Sequence, residues 1–246
     1  MGKVHIGTMG WSYNFWVGNF YPTGLTSKEF LTEYSKHFDT VEVDSTFYRI
    51  PRQDTVLEWK DKTPSEFLFA IKFPRIITHI KKLKNCEPVV KVFLERISYL
   101  QSKLGPLLLQ FPPAFKQEHL PLLSDFLAIL PAEYRFVVEV RNPELLRSSL
   151  FSLLRKNGVA LALVGNSHIP IVEETTADFV YIRLEGDRAK VKGTLGRVEV
   201  DRTIDVKRWA EKIEMLRDTS KEVFVYVSKI FSGHPPTDAE QLSRLL

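Results

Sequence analysis

Charged and polar side chains stand at the ends of several short apolar runs in this chain. In the run Thr40–Asp44, for example, Glu42 and Asp44 alternate with apolar residues. A charge in a buried segment is unfavourable unless it is paired or used, so a series of such charges predicts one shared polar site. Its members are Glu42, Asp44, Lys72, Gln110, Glu139, Arg141 and Arg183.

These residue types suit acid–base chemistry on an anionic ligand. Glu42 and Glu139 are predicted to be catalytic, because two carboxylates in different surroundings titrate apart and can serve as acid and base. Lys72 is the third predicted catalytic residue. With Arg141 and Arg183 it is expected to clamp a carboxylate or a phosphate, which Arg can bind through two parallel hydrogen bonds.

Other side chains are predicted to complete the binding site. Aromatic residues after the first two runs either stack on a planar or sugar-like ligand or form a small core that anchors the loops. They are Trp11, Tyr13, Trp16, Phe47 and Tyr48. Thr46 is expected to contact the ligand through its hydroxyl, and Arg49 and Arg75 to extend the clamp. The predicted substrate-binding residues are Trp11, Tyr13, Asp44, Thr46, Tyr48, His79, Gln110, Arg141 and Arg183.

The histidines do not have the spacing of a metal centre. The sequence contains no His-x-x-x-His or His-x-Glu, so we predict no metal ligands. His79 is the best functional candidate among the histidines. His5 is expected at the opposite end of its strand, and His168 and His234 in loops. Cys86 is predicted to be a half-buried structural thiol at a helix start rather than a nucleophile.

The apolar runs alternate with amphipathic segments along the chain. Short runs of this composition predict buried parallel strands at Val4–Thr8, Thr40–Asp44, Phe67–Phe73, Pro106–Phe111, Phe136–Arg141, Val159–Val164, Phe179–Leu184 and Val223–Val227. Apolar residues at three- and four-residue spacing predict helices at Ser27–His37, Gln53–Asp61, Glu87–Lys103, Leu120–Leu130, Pro143–Lys156, Asp205–Arg217 and Thr237–Leu246. Ser27 is the predicted cap of the first helix. The unit after Val164 is weak.

About eight βα units in 246 residues predict an α/β protein of the (β/α)8 TIM-like type, with a closed parallel sheet and outer helices. An open doubly wound sheet is the alternative, but no Gly-x-Gly-x-x-Gly follows a predicted strand. No linker divides the chain, so we expect residues 1–246 to form one domain. The working face of such barrels lies at the carboxyl ends of the strands, which places the whole polar set at one mouth.

Composition and charge are those of a soluble globular protein, with 44% hydrophobic and 26% charged residues, a net charge of +4 and a pI near 9.0. This charge tolerates anionic partners, among which nucleic acid is the less frequent case. A single cysteine, no signal-peptide pattern and no apolar stretch of ~20 residues predict a cytoplasmic protein without a membrane partner.

Several motifs resemble those of a known family. They are Gly7–Tyr13 with Phe20–Pro22, Val41–Pro51, Phe69–Pro74 with Ile77–His79, Leu104–Pro113 and Val138–Arg141. In this order they resemble the family called domain of unknown function 72, over nearly the first 185 residues. The resemblance implies a TIM-like barrel of unestablished function, similar to xylose-isomerase and endonuclease-four barrels. A nuclease-like, DNA-binding role follows only by analogy of fold, which is weak support.

The chain departs from the family pattern at three places. Glu185 stands where the family has the His of a His-Gly pair, and Ser228-Lys229 and Asp238-Ala239 stand where it has Asn residues. Roles of that His and those Asn residues therefore do not carry over. The charged segment Leu184–Arg202 is predicted to be a hairpin or mobile loop, either simply solvated or acting as a lid over the mouth.

The first functional hypothesis is an enzyme, a hydrolase or another acid–base enzyme, with a polar, anion-accepting site at the mouth. One alternative is a nucleic-acid-binding protein or an endonuclease-four-like phosphodiesterase. Another is a non-catalytic binder of a small anionic metabolite. A small-molecule or phosphate-bearing ligand is the expected partner, and the sequence leaves the cofactor and the oligomeric state open.

Overall fold

Eight parallel strands form one sheet that curls into a nearly closed barrel. The strands are β1 (Lys3–Thr8), β2 (Thr40–Val43), β3 (Leu68–Lys72), β4 (Leu104–Phe111), β5 (Phe136–Val140), β6 (Ala160–Gly165), β7 (Phe179–Leu184) and β8 (Glu222–Val227). The computed structural model describes residues 1–165, 170, 172 and 174–246. Ladders join each strand from β2 to β8 to the next, and β8 to β1. Between β1 and β2 the contact is a bridge of Met9 and Glu42, where Gly10 N donates to Glu42 O at 2.8 Å.

Seven α-helices surround this sheet in the described residues. They are α1 (Phe30–Tyr34), α2 (Gln53–Asp61), α3 (Glu87–Ile97), α4 (Leu120–Ala128), α5 (Ser148–Lys156), α6 (Thr203–Arg217) and α7 (Pro235–Ser243). Short 3-10 turns lie at Asn14–Trp16, Ser45–Phe47, Ser98–Lys103, Gln117–His119 and Pro143–Leu145, with a π turn at Ile76–Ile80. The predicted α/β TIM-like class is confirmed, and all eight predicted strands are present within a few residues of their expected bounds.

The inward-facing side chains are apolar in the middle of the barrel and polar at its mouth. Inside the barrel, small alanines of β3 and β6 leave room for four aromatic rings of β7 and β8, which pack in one cluster with Met9, Leu108 and Val137. Two residues further toward the carboxyl ends, the inward positions become polar. These positions are Glu42, Lys72, Gln110, Glu139 and Arg183. The opposite faces of the strands pack against the helices in a continuous core.

Three predicted helices differ from those observed. The helix expected at Glu87–Lys103 ends at Ile97, and a 3-10 turn covers Ser98–Lys103. The helix expected at Ser27–His37 begins only at Phe30, and its first residue is preceded by Glu29, so the prediction that Ser27 caps it was wrong. Instead, the Glu29 carboxylate accepts hydrogen bonds from the backbone and hydroxyl of Thr26. The helix expected at Pro143–Lys156 is divided, because Arg147 has extended backbone angles between the 3-10 turn and α5.

His5 and Cys86 belong to the scaffold. His5 is buried at the amino end of the barrel, as predicted, where Nδ1 lies 2.6 Å from Asp39 Oδ2 and Nε2 lies 3.3 Å from Glu222 Oε1. Cys86 precedes α3 and is fully buried rather than half-buried. His168 lies outside the described residues. No helix in the described part of the chain is long and apolar enough to cross a membrane.

The segment after β7 is a loop packed between two others. Residues 185–202, all of which the structure describes, contain no strand, so of the two predicted alternatives, a hairpin or a loop, the segment is a loop. Asn19 Nδ2 donates to Gly196 O at 2.8 Å, and a Cβ added to Gly196 would lie 1.8 Å from Phe15 O. On the other side, a Cβ on Gly193 would lie 2.5 Å from Lys229 O. Both glycines therefore permit close backbone approach.

Candidate functional site

Arg183 joins three carboxylates beneath the mouth of the barrel. Its Nε and Nη2 donate to the two oxygens of Glu42 at 2.9 and 2.7 Å, a bidentate pair across the barrel from β7 to β2. Its Nη1 donates to Glu139 Oε2 at 2.5 Å and to Glu185 Oε1 at 2.8 Å. Only 2% of Arg183 is exposed. These hydrogen bonds compensate for the desolvation of the guanidinium and its partners.

Glu42 and Glu139 also accept hydrogen bonds from other side chains. Tyr181 OH donates to Glu42 Oε2 at 2.6 Å. Glu139 Oε1 accepts from Gln110 Nε2 at 2.8 Å and from Arg141 Nε at 2.9 Å. All four oxygens of Glu42 and Glu139 thus contact protein donors. Both side chains are fully buried, so neither carboxylate contacts solvent, and each acts on the groups above it only through its electrostatic field.

The pKa values of the two floor carboxylates, Glu42 and Glu139, shift in opposite directions. Burial raises the pKa of Glu42, and the attraction of Arg183 offsets only part of this effect. Burial opposes ionisation of Glu139 as well, but Arg183, Arg141 and Lys72 together outweigh it and lower the pKa of Glu139 to about 2. The difference follows the number of nearby cations.

Asp44 and Lys72 lie together on the rim, one strand apart. Lys72 Nζ is 3.3 Å from Asp44 Oδ1 and 4.6 Å from the centre of the Phe47 ring. Asp44 Oδ1 accepts no hydrogen bond from any residue that the structure describes. The turn that carries these groups is fixed by Thr46, whose hydroxyl donates to Val43 O at 2.8 Å or Lys72 O at 2.7 Å.

A cavity of about 210 Å³ opens above the floor. Asp44, Phe47, Tyr48 and Lys72 line it on the side of β2 and β3. The loops after β7 and β8 line the other side with the residues Glu185, Arg188, Ser228, Lys229 and Ile230. Lys229 Nζ lies over the Tyr13 ring, 5.2 Å from its centre. Both sides of the cavity therefore carry charged groups, and aromatic side chains lie beside them on each side.

Arg141 connects the floor to the rim. Its Nη2 donates to Glu185 Oε1 at 2.6 Å, while its Nε binds Glu139 below. About 35% of its side chain is exposed. Nη1 takes part in none of these bonds, so it remains a donor for a ligand. Arg188 and Lys229 make no ion pair with any residue in the described ranges.

The structure brings most of the sequence-predicted site residues to this cavity. Those that line it are Tyr13, Asp44, Tyr48, Lys72, Gln110, Arg141 and Arg183. Glu42 and Glu139 lie below them. His79 packs edge-on against Phe47 with ring centres 5.0 Å apart, and burial, Lys72 and Arg75 lower its pKa. It lies next to the wall rather than on it.

Two other predicted binding residues do not line this cavity. Trp11 packs edge-on against Trp59, with ring centres 5.7 Å apart, in a separate depression beside Ser12 and Lys28. Thr46 is 1% exposed, and its hydroxyl donates to a backbone carbonyl. Trp16, named with the aromatic group, is fully buried among other rings. The anchoring alternative therefore describes Trp11 and Trp16, and the ligand-wall alternative remains for Tyr13, Phe47 and Tyr48.

Sequence reasoning did not predict seven residues at the site. They are Met9, Tyr181, Glu185, Arg188, Ser228, Lys229 and Ile230. Tyr181 carried a usable signal, because it precedes Arg183 by two positions and must point to the same side of β7. Glu185 was noted only as a departure from a family pattern, yet it binds both Arg141 and Arg183. Arg188 and Lys229 lie in loops, where periodicity gives no direction. In the described residues, no three His, Cys, Asp or Glu side chains group so that they could hold a metal ion.

The fold and the mouth define this protein as a TIM-like α/β barrel with a charged, ion-paired site at the carboxyl ends of its strands. A family model described as "Protein of unknown function DUF72" matches residues 5–246. The chain belongs to the DUF72 family.

Named relatives and solved structures agree with this assignment. UPF0759 protein YecE of Escherichia coli (strain K12) is 40% identical over 141 residues, which are 57% of this chain and 49% of YecE, so the match spans about half of that relative. UPF0759 protein YunF of Bacillus subtilis (strain 168) is 25% identical over 274 residues, 99% of this chain and 94% of YunF.

Among crystal structures, a DUF72 family protein from Thermotoga maritima MSB8 superposes with a TM-score of 0.82 and 26% identity, covering 99% of this chain and 98% of that one. A DUF72 family protein from Enterococcus faecalis V583 gives a TM-score of 0.81 at 21% identity, covering 100% and 98%. The second likeness is one of fold alone.

Proposed function

We propose that this protein is an enzyme that binds a small anionic substrate at the barrel mouth and acts on it by acid–base catalysis. The observation that carries the proposal is the charge of the rim. Lys72, Arg141, Arg188 and Lys229 surround the cavity, against the two rim carboxylates of Asp44 and Glu185. With the floor included, five cations face four carboxylates, and this excess of one positive charge in a concave, partly desolvated site favours an anion.

In this proposal Glu42 and Glu139 act by positioning. Their oxygens are all occupied by protein donors, so they hold Arg183 and Arg141 in fixed orientations. A group that exchanges a proton with a substrate must come within hydrogen-bond reach of it. Asp44 and Lys72 meet this condition because both line the cavity and lie 3.3 Å apart. Asp44 is the proposed base, and Lys72 stabilises the negative charge that develops.

The anion site is tested with inorganic phosphate at low ionic strength. We expect saturable thermal stabilisation of the intact protein, and at least a severalfold weaker response in the Arg188→Gln/Lys229→Gln double variant. The matched control is Lys221→Gln/Arg244→Gln, since these two side chains are 79% and 77% exposed and away from the mouth. Equal responses in all three proteins, or no response to phosphate or sulfate in any, would refute the anion site.

The catalytic part is tested by NMR on mixtures of phosphate esters. The protein is expected to convert at least one compound, and Asp44→Asn to slow that conversion by roughly 10²-fold or more while still binding inorganic phosphate. Saturable binding without conversion of any compound would instead identify a non-catalytic binder.

A single-stranded nucleic acid is a second candidate, favoured by one observation. Tyr48 is 74% exposed at the edge of the cavity, and the neighbouring Arg49 is exposed as well. An exposed aromatic ring beside cations is typical of stacking sites for bases. Fluorescence anisotropy with a labelled oligonucleotide tests it. Binding should weaken steeply with salt and fall in Tyr48→Ala, and an absence of binding at low salt would exclude it.

A further inference from the structure

We infer that the ligand is a phosphate monoester that carries free hydroxyl groups, of the kind formed by a phosphorylated sugar or polyol. This inference rests on the proposed anion site and adds the chemistry of the ligand's other end. The loops after β7 and β8 take the phosphate, and Asp44 and Gln110 take the hydroxyls. Four observations support this orientation.

The first observation is the placement of the cations that pair with no carboxylate in the described residues. Arg188 and Lys229 belong to the loops after β7 and β8, and neither is ion-paired within the described residues. Arg141 adds a third free donor, Nη1, because Glu139 and Glu185 bind only its Nε and Nη2. Loops after the seventh and eighth strands form the phosphate site in many barrels of this type. That is an analogy of fold, but here the charges support it.

The second observation is a set of acceptors without donors at the same cavity. The Asp44 side chain is 35% exposed and accepts no hydrogen bond from the described part of the chain, although its buried Oδ1 lies 3.3 Å from Lys72 Nζ and 3.9 Å from Arg183 Nη2; its other oxygen is the acceptor that a ligand can reach. Gln110 uses its Nε2 to bind Glu139, which leaves its Oε1 as an acceptor. A simple anion would face these acceptors without any proton to offer, which is unfavourable in a partly buried site. A hydroxyl group donates to one acceptor and accepts from a cation such as Lys72.

The third observation is that the two sets lie on different sides of the barrel. Asp44 and Lys72 come from β2 and β3, whereas Arg188 and Lys229 follow β7 and β8. Across the barrel, Lys72 of β3 and Gln110 of β4 stand opposite the loops after β7 and β8, whereas the strand of Asp44, β2, is separated from β8 by β1 alone. A ligand that satisfies both sets must therefore have a negative end and a hydrogen-bond-donating end.

The fourth observation is the size and lining of the cavity. A volume of about 210 Å³ is small for a ligand site, so it favours one compact molecule. The rings of Tyr13, Phe47 and Tyr48 border it. Aromatic faces pack well against the C–H groups of a sugar or polyol while its hydroxyls point to the polar groups.

The test compares four probes by calorimetry at low ionic strength: inorganic phosphate, n-butyl phosphate, ribose 5-phosphate and ribose. We expect ribose 5-phosphate to bind about tenfold or more tightly than butyl phosphate, the gain of roughly one well-placed hydrogen bond. In Asp44→Ala the ratio of the two affinities should fall toward one. The variant should still bind inorganic phosphate, which also shows that it is folded. The Arg188→Gln/Lys229→Gln variant should weaken all three phosphates by a similar factor.

The outcomes separate this inference from the proposed function. If the three phosphates bind with equal affinity, or if Asp44→Ala keeps the full preference for ribose 5-phosphate, the hydroxyl site is overturned and the anion site stands. If ribose binds as tightly as ribose 5-phosphate, the phosphate assignment is overturned. If neither inorganic phosphate nor any ester binds, the anion site itself fails.

Discussion

Arg183 donates four hydrogen bonds to three carboxylates, and this one side chain organises the floor of the site. Its partners Glu42 and Glu139 are completely buried. Burial of so many charges is stable only while every partner is present. At the scale of single residues, the site is therefore a network in which removing one charged side chain leaves its partners buried without compensation.

The first prediction concerns Arg183 itself. Arg183→Met is expected to lower the free energy of unfolding by about 3–5 kcal/mol, because it leaves Glu42 and Glu139 buried without their cation. Denaturant unfolding measures the loss. The matched variant Arg183→Met/Glu42→Gln/Glu139→Gln removes the stranded charges as well and should recover a large part of the stability. If the triple variant is no more stable than the single one, buried charge is not the cause.

At the scale of elements, the start of α7 contains a buried acid with a raised pKa. Asp238 stands where the resemblance places Asn, is 4% exposed, and accepts a short hydrogen bond from Ser232 Oγ. Burial raises the pKa of Asp238 from 3.8 to about 7, although the hydrogen bond and Arg202 oppose this. The protonated acid and the amide of Asn have nearly the same shape. Below about pH 7 the acid can therefore take the place of the amide in α7.

The second prediction follows from the sign of that shift. Because the folded pKa is raised, the contribution of Asp238 to stability is complete below pH 3.8 and is lost as the pH rises through about 7. Asp238→Asn should therefore be more stable than the native chain at pH 8, on the order of 1.4 kcal/mol for each pKa unit. The advantage should shrink toward pH 5. Thermal unfolding at both values measures it, with the exposed Asp125→Asn of α4 as control; an advantage equal at both values would contradict the assignment.

The loop after β7 provides the third prediction. Gly196→Ala should destabilise the protein clearly, because its Cβ would lie 1.8 Å from Phe15 O and its φ is +64°. Gly158→Ala is the matched control, since Gly158 has a φ of +63° and nothing within 4 Å of an added Cβ. Both variants carry the backbone strain of about 1 kcal/mol, but only Gly196→Ala has the clash. Thermal unfolding that gives equal losses would show that the loop does not pack as described.

At the scale of the whole molecule, the two ends of the barrel have separate tasks. The carboxyl end carries the cavity and its cations. The amino end carries His5, held between Asp39 and Glu222. Burial disfavours the charged form of His5, but its two acidic partners outweigh this and raise its pKa above 6.5. The length of the strands separates this group from the mouth.

The fourth prediction tests that separation. Since the folded pKa of His5 is raised, its stabilising contribution is present below pH 6.5 and is lost as the pH rises through the folded value. His5→Gln should therefore lose more stability relative to the native chain at pH 5.5 than at pH 8.5. The response of the folded variant to inorganic phosphate at pH 7 should equal that of the native chain. A changed phosphate response would mean that the two ends are coupled.

Much of the architecture could be predicted because it follows from local pattern. Apolar runs and amphipathic segments alternate with fixed periods, and parallel strands in that order close into a barrel. Alternation along β2 and β5 then puts Glu42 and Glu139 inside the barrel, and the family resemblance agrees with that placement. Helix boundaries such as that of α1 were less predictable, because the bond between Glu29 and Thr26 competes with helix extension at Ser27.

The sequence by itself determined the barrel, the end at which it carries its charges, and most of the residue types at the mouth, because strand periodicity fixes the direction of each side chain. Only the tertiary structure decided which carboxylates are covered. Arg183 reaches Glu42 across 141 positions of the chain and Glu139 across 44. It thereby takes both into the floor and leaves Asp44 and Glu185 at the rim. Such pairing depends on side-chain reach across the barrel and on competition for one guanidinium, which no local pattern encodes.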